Sequence, residues 1–192
     1  LDVARGPLGG PRDPEASIVD SVYNAAMLAF DLLTRLRSVS PAASRALLSR
    51  IIPSIIPLSG GMHIRVAEWT PTRCVMRLPF LRRNRNHIGS VYFGAQMTLA
   101  DLAVGILLFQ RFSMSEYAGV IKRVEADFKK KGKGELCCVA ELSPESERDL
   151  EAARDNDSGK AEAWIPVQIF DPEGQIVTEV RALVAIRRLR LR

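Results

Sequence analysis

The residues best suited to chemistry in this chain of 192 residues lie between Asn86 and Phe109. Asp101 is a carboxylate inside the apolar run Leu99-Ala100-Asp101-Leu102-Ala103-Val104, with no basic residue within a helical turn to pair it. Such a group either pays a desolvation penalty or takes up a proton, so it needs a partner or a task. About two helical turns earlier, Gly89 and Gly94 bracket Ser90-Val91-Tyr92-Phe93. Glycines just ahead of a helix let the backbone turn sharply and approach a ligand closely. The first-turn amides of that helix lack partners and point outward, toward any developing negative charge. A polar loop at Asn86-His87, an amide-rich helix start and a carboxylate further along suit acyl transfer, in which amides hold an oxyanion and the acid acts as base or nucleophile.

The elements around these residues follow from periodicity. From Ala95 to Phe109 the side chains are apolar on nearly every side of a helical wheel, so a core helix buried all round is expected. Two alternating stretches precede it, His63 to Trp69 and Arg73 to Pro79, and read as strands joined at Thr70-Pro71-Thr72. Leu81 to Asn86 forms the polar approach. After the helix, Val120, Val124, Ala126 and Phe128 alternate with charged residues as a strand wet on one face. Leu136, Cys138, Ala140 and Leu142 follow on the next strand, and Ala161 to Phe170 and Ile176 to Arg188 are two more, linked by the turn Asp171-Pro172-Glu173-Gly174. Pro144 to Gly159 is charged and reads as a helical or mobile excursion. One long helix among antiparallel strands is an α+β fold, with the sheet curled around the helix.

Ahead of this domain, assigned to residues 59–192, residues 16–58 read as an N-terminal helical extension and residues 1–15, rich in Gly and Pro, as a flexible leader. The spacing predicts an amphipathic helix from Ser17 to Arg37, then a second opened by Ser40-Pro41 and giving out near Pro53. Packing on the main domain is the expected role of the extension; membrane contact through Ile51 to Leu58 is the alternative.

Net charge is +5, part of it in the closing Arg187, Arg188, Arg190 and Arg192, which suits an anionic partner without selecting one. No nucleotide-loop or nucleic-acid motif accompanies the charge, so nucleic acid is not an expected partner. Three cysteines, two of them adjacent, argue against a disulfide framework and for a reducing, cytoplasmic setting. Cys74, Cys137, Cys138, His63 and His87 have no usual ligand spacing, so no metal site is expected.

Asn86-His87-Ile88-Gly89, followed by Leu99-Ala100-Asp101 on a buried helix between antiparallel strands, resembles the hotdog superfamily of acyl-CoA thioesterases and dehydratases. The PaaI-type branch is the most similar, and closer still is an uncharacterised bacterial group that reads Gly-Ser-Val-Tyr-Phe-Gly-Ala at the helix start, as Gly89 to Ala95 do. The likeness spans about Gly60 to Arg188. The resemblance implies a homodimer or dimer of dimers with an acyl-CoA or other acyl thioester at the subunit interface. Coenzyme A would enter as part of the substrate, with no other cofactor. By the same resemblance Asp101 is general base or nucleophile, the amides around Phe93-Gly94 form the oxyanion hole, and Asn86 positions water or the loop. The chain departs from the PaaI pattern by carrying Tyr92-Phe93-Gly94 in place of His-Gly-Gly, and a bulky Phe93 narrows the approach to the site.

Each residue also has a plainer reading. Asn86 either caps its own loop or meets substrate. Gly89 and Gly94 serve backbone geometry under any function. Tyr92 is a core aromatic or a hydroxyl donor, and His87 a loop bystander or a base. Lys129 to Lys133 is a solvated hairpin end or a phosphate contact, and Cys137 and Cys138 are strand cysteines. Two functions remain open: a thioester hydrolase, or a hotdog module that binds a fatty acyl or lipid ligand without chemistry.

Overall fold

The structure, a computed structural model, describes residues 25, 28–30, 32–113 and 115–189. The leader and the start of the first helix lie outside the described residues. Helical residues 28–30 and 32–39 (α1) lead to α2 (Pro41–Ile55), and then to β1 (Arg65–Trp69), β2 (Arg73–Leu78), α3 (Phe93–Arg111), β3 (Tyr117–Phe128), β4 (Leu136–Glu141), α4 (Pro144–Asp155), β5 (Lys160–Phe170) and β6 (Ile176–Arg188). The six strands form one antiparallel sheet in the order β1-β2-β4-β5-β6-β3. Helix α3 rests against β2, β4 and β5 and barely meets β3. The sheet thus wraps the helix as the sequence led one to expect.

Local chemistry explains the element ends. Ser40 Oγ accepts from Ala43 N at 3.4 Å, with Pro41 in the first turn of α2. Ser143 does the same for α4 from Ser146 N at 3.0 Å, with Glu145 and Glu147 at the positive helix end. The charged excursion is therefore a capped helix. Its Leu150 and Ala153 enter the core, and Glu147 and Glu151 hold Arg111 at the end of α3, at 2.6 and 2.9 Å. The β5–β6 turn is closed by Asp171 Oδ1, which accepts from Gln175 N at 2.8 Å, with Gly174 at φ +76°.

Helix α2 gives out near Pro53 as expected, at Ile55, closed by Ile56 N donating to Ile52 O at 2.8 Å. Other expectations need correction. His63 lies in a turn at φ +56°, ahead of β1 rather than on it. Strand β3 is exposed on both faces apart from Tyr117, Ile121 and Glu125, because it is the sheet edge and α3 does not cover it. Helix α3 is not buried all round. Phe93 and Asp101 are exposed and Gly94, Met97, Thr98 and Gly105 half-exposed, one stripe at helical spacing that faces the gap beside β3.

The extension and the sheet share one core, which includes Phe30, Leu33, Leu48 and Ile52. Ser44 Oγ donates to Leu33 O at 2.9 Å and ties α1 to α2; Ser49 Oγ accepts from Val66 N at 2.9 Å and blunts the outer edge of β1. Phe30 packs edge-on against Trp69 and Phe109. Packing of the extension on the domain is thus as expected for its inner face. Among the described residues α3 alone is long and apolar enough to cross a membrane, and it is this core helix.

Candidate active site

The site grows from the helix start. Asn86 Oδ1 accepts from Ile88 N at 3.2 Å and Ser90 N at 3.1 Å, and its Nδ2 donates to Ser90 Oγ at 2.9 Å. Asn86 therefore builds its own loop, with Gly89 at φ +74° supplying a conformation that side chains disfavour. Val91 N donates to Gly132 O at 2.9 Å and Tyr92 N to Asn84 O at 2.8 Å, so the segment leading into α3 is held on both sides.

Helix α3 then begins without a side-chain cap, and its first backbone bond runs from Gln96 N to Tyr92 O at 3.1 Å. The amides of Phe93, Gly94 and Ala95 are left without an intrahelical partner, the arrangement an oxyanion needs. Gly94 leaves room for the Tyr92 ring, since a Cβ there would stand 2.6 Å from Tyr92 Cε1 and would displace it. The ring of Tyr92 lies over the first turn and is half exposed, which corrects its reading as a core aromatic. Phe93 is 55% exposed and meets Tyr92 and Phe128 edge to face, at centroid distances of 4.9 and 6.4 Å. His87 is exposed on the loop.

Asp101 sits where two clefts meet. One, of about 330 Å³, is lined by apolar side chains of α3 with Ile56, Tyr117, Ile121 and Ile186. The other, of about 410 Å³, lies between Met97, Thr98, Ile121 and Val124. Both fall in the size range of small-ligand sites. The carboxylate is exposed rather than enclosed, yet the apolar walls around it strip enough water to push its pKa above the usual carboxylate range. A third hollow, of about 350 Å³, joins Asn86, Phe93 and Phe128 to Lys131. Lys129 pairs with Asp127 and Glu179 and Lys130 with Asp171, whereas Lys131 has no ion pair among the described residues.

The structure thus brings Asn86, Gly89, Tyr92, Phe93 and Gly94 together at the helix start and sets Asp101 further along the same stripe. Sequence reasoning missed Gln96. Its side chain is 3% exposed, donates from Nε2 to Val91 O at 3.2 Å and accepts from Thr178 Oγ1 at 2.6 Å, pinning the helix start to β6. A lone amide in an apolar first turn was the available signal. Cys74 and Cys138 face the core from adjacent strands, and burial raises the Cys74 thiol to about 12, which removes it as a nucleophile.

Residues 44–186 match the family model described as Domain of unknown function (DUF4442). The chain belongs to the DUF4442 family. Among solved structures, PA5026 from Pseudomonas aeruginosa, a protein of unknown function described as a probable thioesterase, is 30% identical, with 75% of this chain and 96% of that one covered at a TM-score of 0.67. The thioesterase PA1618 from Pseudomonas aeruginosa matches at 15% identity, covering 69% and 86%, with a TM-score of 0.56. The PaaI protein of the E. coli phenylacetic acid degradation operon matches at 15% identity, covering 73% and 90%, with a TM-score of 0.55. The comparison with curated proteins returns no match. This DUF4442 protein therefore has the hotdog fold, as the resemblance in its sequence implied.

Proposed function

We propose that this DUF4442 protein is an acyl-CoA thioesterase whose site is completed by a second copy of the chain. The observation that carries the reading is the single open stripe of α3, which bears uncapped amides at its start and a carboxylate at the mouth of two apolar clefts. From Gly94 to Asp101 is about 10 Å along the helix axis, at 1.5 Å per residue. Even with the side chain leaning back toward the helix start, one chain does not bring both groups to within about 3 Å of one carbonyl carbon and oxygen. A second copy docked edge to edge at β3, with its α3 antiparallel, sets the acid of one copy against the amides of the other. The exposed Val120, Val124 and Phe128 on β3 and the unpaired backbone of that edge suit such a contact.

In this reading Asp101 removes a proton from the water that attacks the thioester carbonyl, or attacks that carbonyl itself to give a mixed anhydride that water then hydrolyses. The Phe93 and Gly94 amides stabilise the tetrahedral oxyanion, and collapse expels the coenzyme thiolate. Partial burial suits Asp101 to the role, because it raises the basicity of the carboxylate. Asn86 acts by shaping the loop. Lys131 beside the Asn86–Phe93 hollow is placed to meet a coenzyme phosphate, and a cytoplasmic setting follows from a coenzyme A substrate.

The test is hydrolysis of a panel of acyl-CoAs by wild type and Asp101→Asn. Turnover by wild type with loss in the variant is expected, and equal rates in the two would remove the assigned role. The aromatic cluster of Tyr92, Phe93 and Phe128 at the helix start favours a second reading, acyl binding without turnover. A copurifying lipid with no hydrolysis at any acyl length would establish it.

A further inference from the structure

We infer that the outer face of α1 and α2 is a docking surface for a bilayer with anionic headgroups, a role independent of the thioesterase reading. Each helix buries one face in the common core, through Phe30 and Leu33 in α1 and through Ser44, Leu48 and Ile52 in α2. The opposite faces therefore point away from the molecule. At spacings of i, i+4, i+7 and i+11 they carry Leu28, Leu32, Arg35 and Val39 on α1, and Ala43, Leu47, Arg50 and Ser54 on α2. Leu28, Leu32 and Val39 are 72, 61 and 83% exposed, and Leu58, just beyond α2, is 74% exposed. Aliphatic side chains held in water on helices whose other faces are already buried call for an apolar partner.

Charge identifies that partner. From Leu28 to Ala67 there are five arginines and one acidic residue, Asp31, and from Leu28 to Ala100 there are ten arginines, no lysine and two acids, Asp31 and Glu68. Arg35 and Arg50 sit among the exposed leucines, and most acids of the chain lie elsewhere. Exposed Leu and Val flanked by Arg is the composition of a helix lying in a headgroup layer, its aliphatic side chains among the acyl chains and its guanidinium groups on phosphates. A nucleic acid would match the arginines but leave the leucines in water. The geometry adds a consequence: Ile56, between α2 and Leu58, lines the cleft that ends at Asp101. A bilayer held against α2 would lie beside the wall of that cleft.

The experiment is sedimentation of the full chain with vesicles of phosphatidylcholine alone and of equimolar phosphatidylcholine and phosphatidylglycerol, at low and high salt, with light scattering in parallel. Retention is expected on the anionic vesicles, weakened by salt and absent on phosphatidylcholine alone. Replacing Arg35 and Arg50 by Ala should weaken it about thirtyfold, roughly fivefold for each charge near an anionic surface. Leu32→Glu with Val39→Glu and Leu58→Glu should abolish it, while thermal unfolding stays as in wild type because these side chains are exposed. No retention on either vesicle, or equal retention of the triple variant, would overturn the assignment. A fall in particle mass in that variant with unchanged vesicle binding would instead give the face to contact between copies, and would overturn it equally.

Discussion

Gln96 and Thr178 offer the sharpest test of how the site is held. The pair is closed to solvent, 3% and 0% exposed, and linked at 2.6 Å, with Gln96 Nε2 donating onward to the Val91 carbonyl. Thr178→Val keeps the shape of the side chain and removes the hydroxyl, which strands Gln96 Oε1 in the core without a donor. A stranded buried acceptor costs about 1–3 kcal/mol. At roughly 2–4 °C per kcal/mol for a chain of this size, the midpoint of thermal unfolding should fall by about 4–8 °C for a loss near the middle of that range. Gln96→Leu should cost more, since it strands both the Thr178 hydroxyl and the Val91 carbonyl. The double variant should then be less destabilised than the sum of the single ones, by about 1–2 kcal/mol, because each partner no longer leaves the other unsatisfied. Circular dichroism at one fixed protein concentration measures all four corners. A Thr178→Val midpoint within experimental error of wild type, with no coupling in the cycle, would refute the claim that this pair anchors the helix start.

Asp101→Asn should lower acyl-CoA hydrolysis by about a hundredfold to ten-thousandfold, the range for loss of a general base, in single-turnover assays. The same variant should be slightly more stable than wild type at neutral pH, by less than about 1 kcal/mol because solvent screens an exposed group. Partial burial raises the carboxyl pKa, so the folded chain keeps the proton to higher pH than the unfolded one; the penalty is absent in acid and appears as pH rises through the folded value. The two melting curves should therefore converge at low pH, and a gap that widens in acid would contradict the sign. Val124→Glu puts a charge on the exposed apolar face of β3, and light scattering should show the proposed pair of chains in wild type and single chains in the variant. Gly134→Ala should destabilise by about 1–3 kcal/mol in thermal unfolding, because its φ is +77° and the new Cβ would stand 2.5 Å from Pro172 Cγ.

Much of this architecture was legible in the residues. Alternation located each strand, Ser40 is a capping residue followed by proline, and Asp171 to Gly174 is turn chemistry with a mechanism. The errors over α3 and β3 share one cause. A wheel that is apolar all round says that a helix avoids water, but not whether its own chain supplies the cover. Helix α3 has three sides covered by β2, β4 and β5, while the side bearing Asp101 faces a gap that β3 does not close. The same gap leaves the apolar positions of β3 wet. Gln96 escaped notice because its partner, Thr178, lies 82 residues away, a contact that no local pattern reports.

That shared cause bears on function. An uncovered stripe on the core helix and an uncovered apolar face on the edge strand are two halves of one unsatisfied surface, and Asp101 stands on it between apolar walls. A carboxylate left there in a lone chain gains little, since water reaches it and no basic group among the described residues pairs with it. Covering the surface with a second copy would remove that water, and with it the screening that keeps the acid and the helix-start amides ordinary. Assembly and reactivity should therefore be lost together. In Val124→Glu, single chains should retain the fold by circular dichroism yet hydrolyse acyl-CoA no faster than Asp101→Asn. Single chains as active as wild type would show that the carboxylate works without its counterpart, and would sever the link between the open stripe and the chemistry.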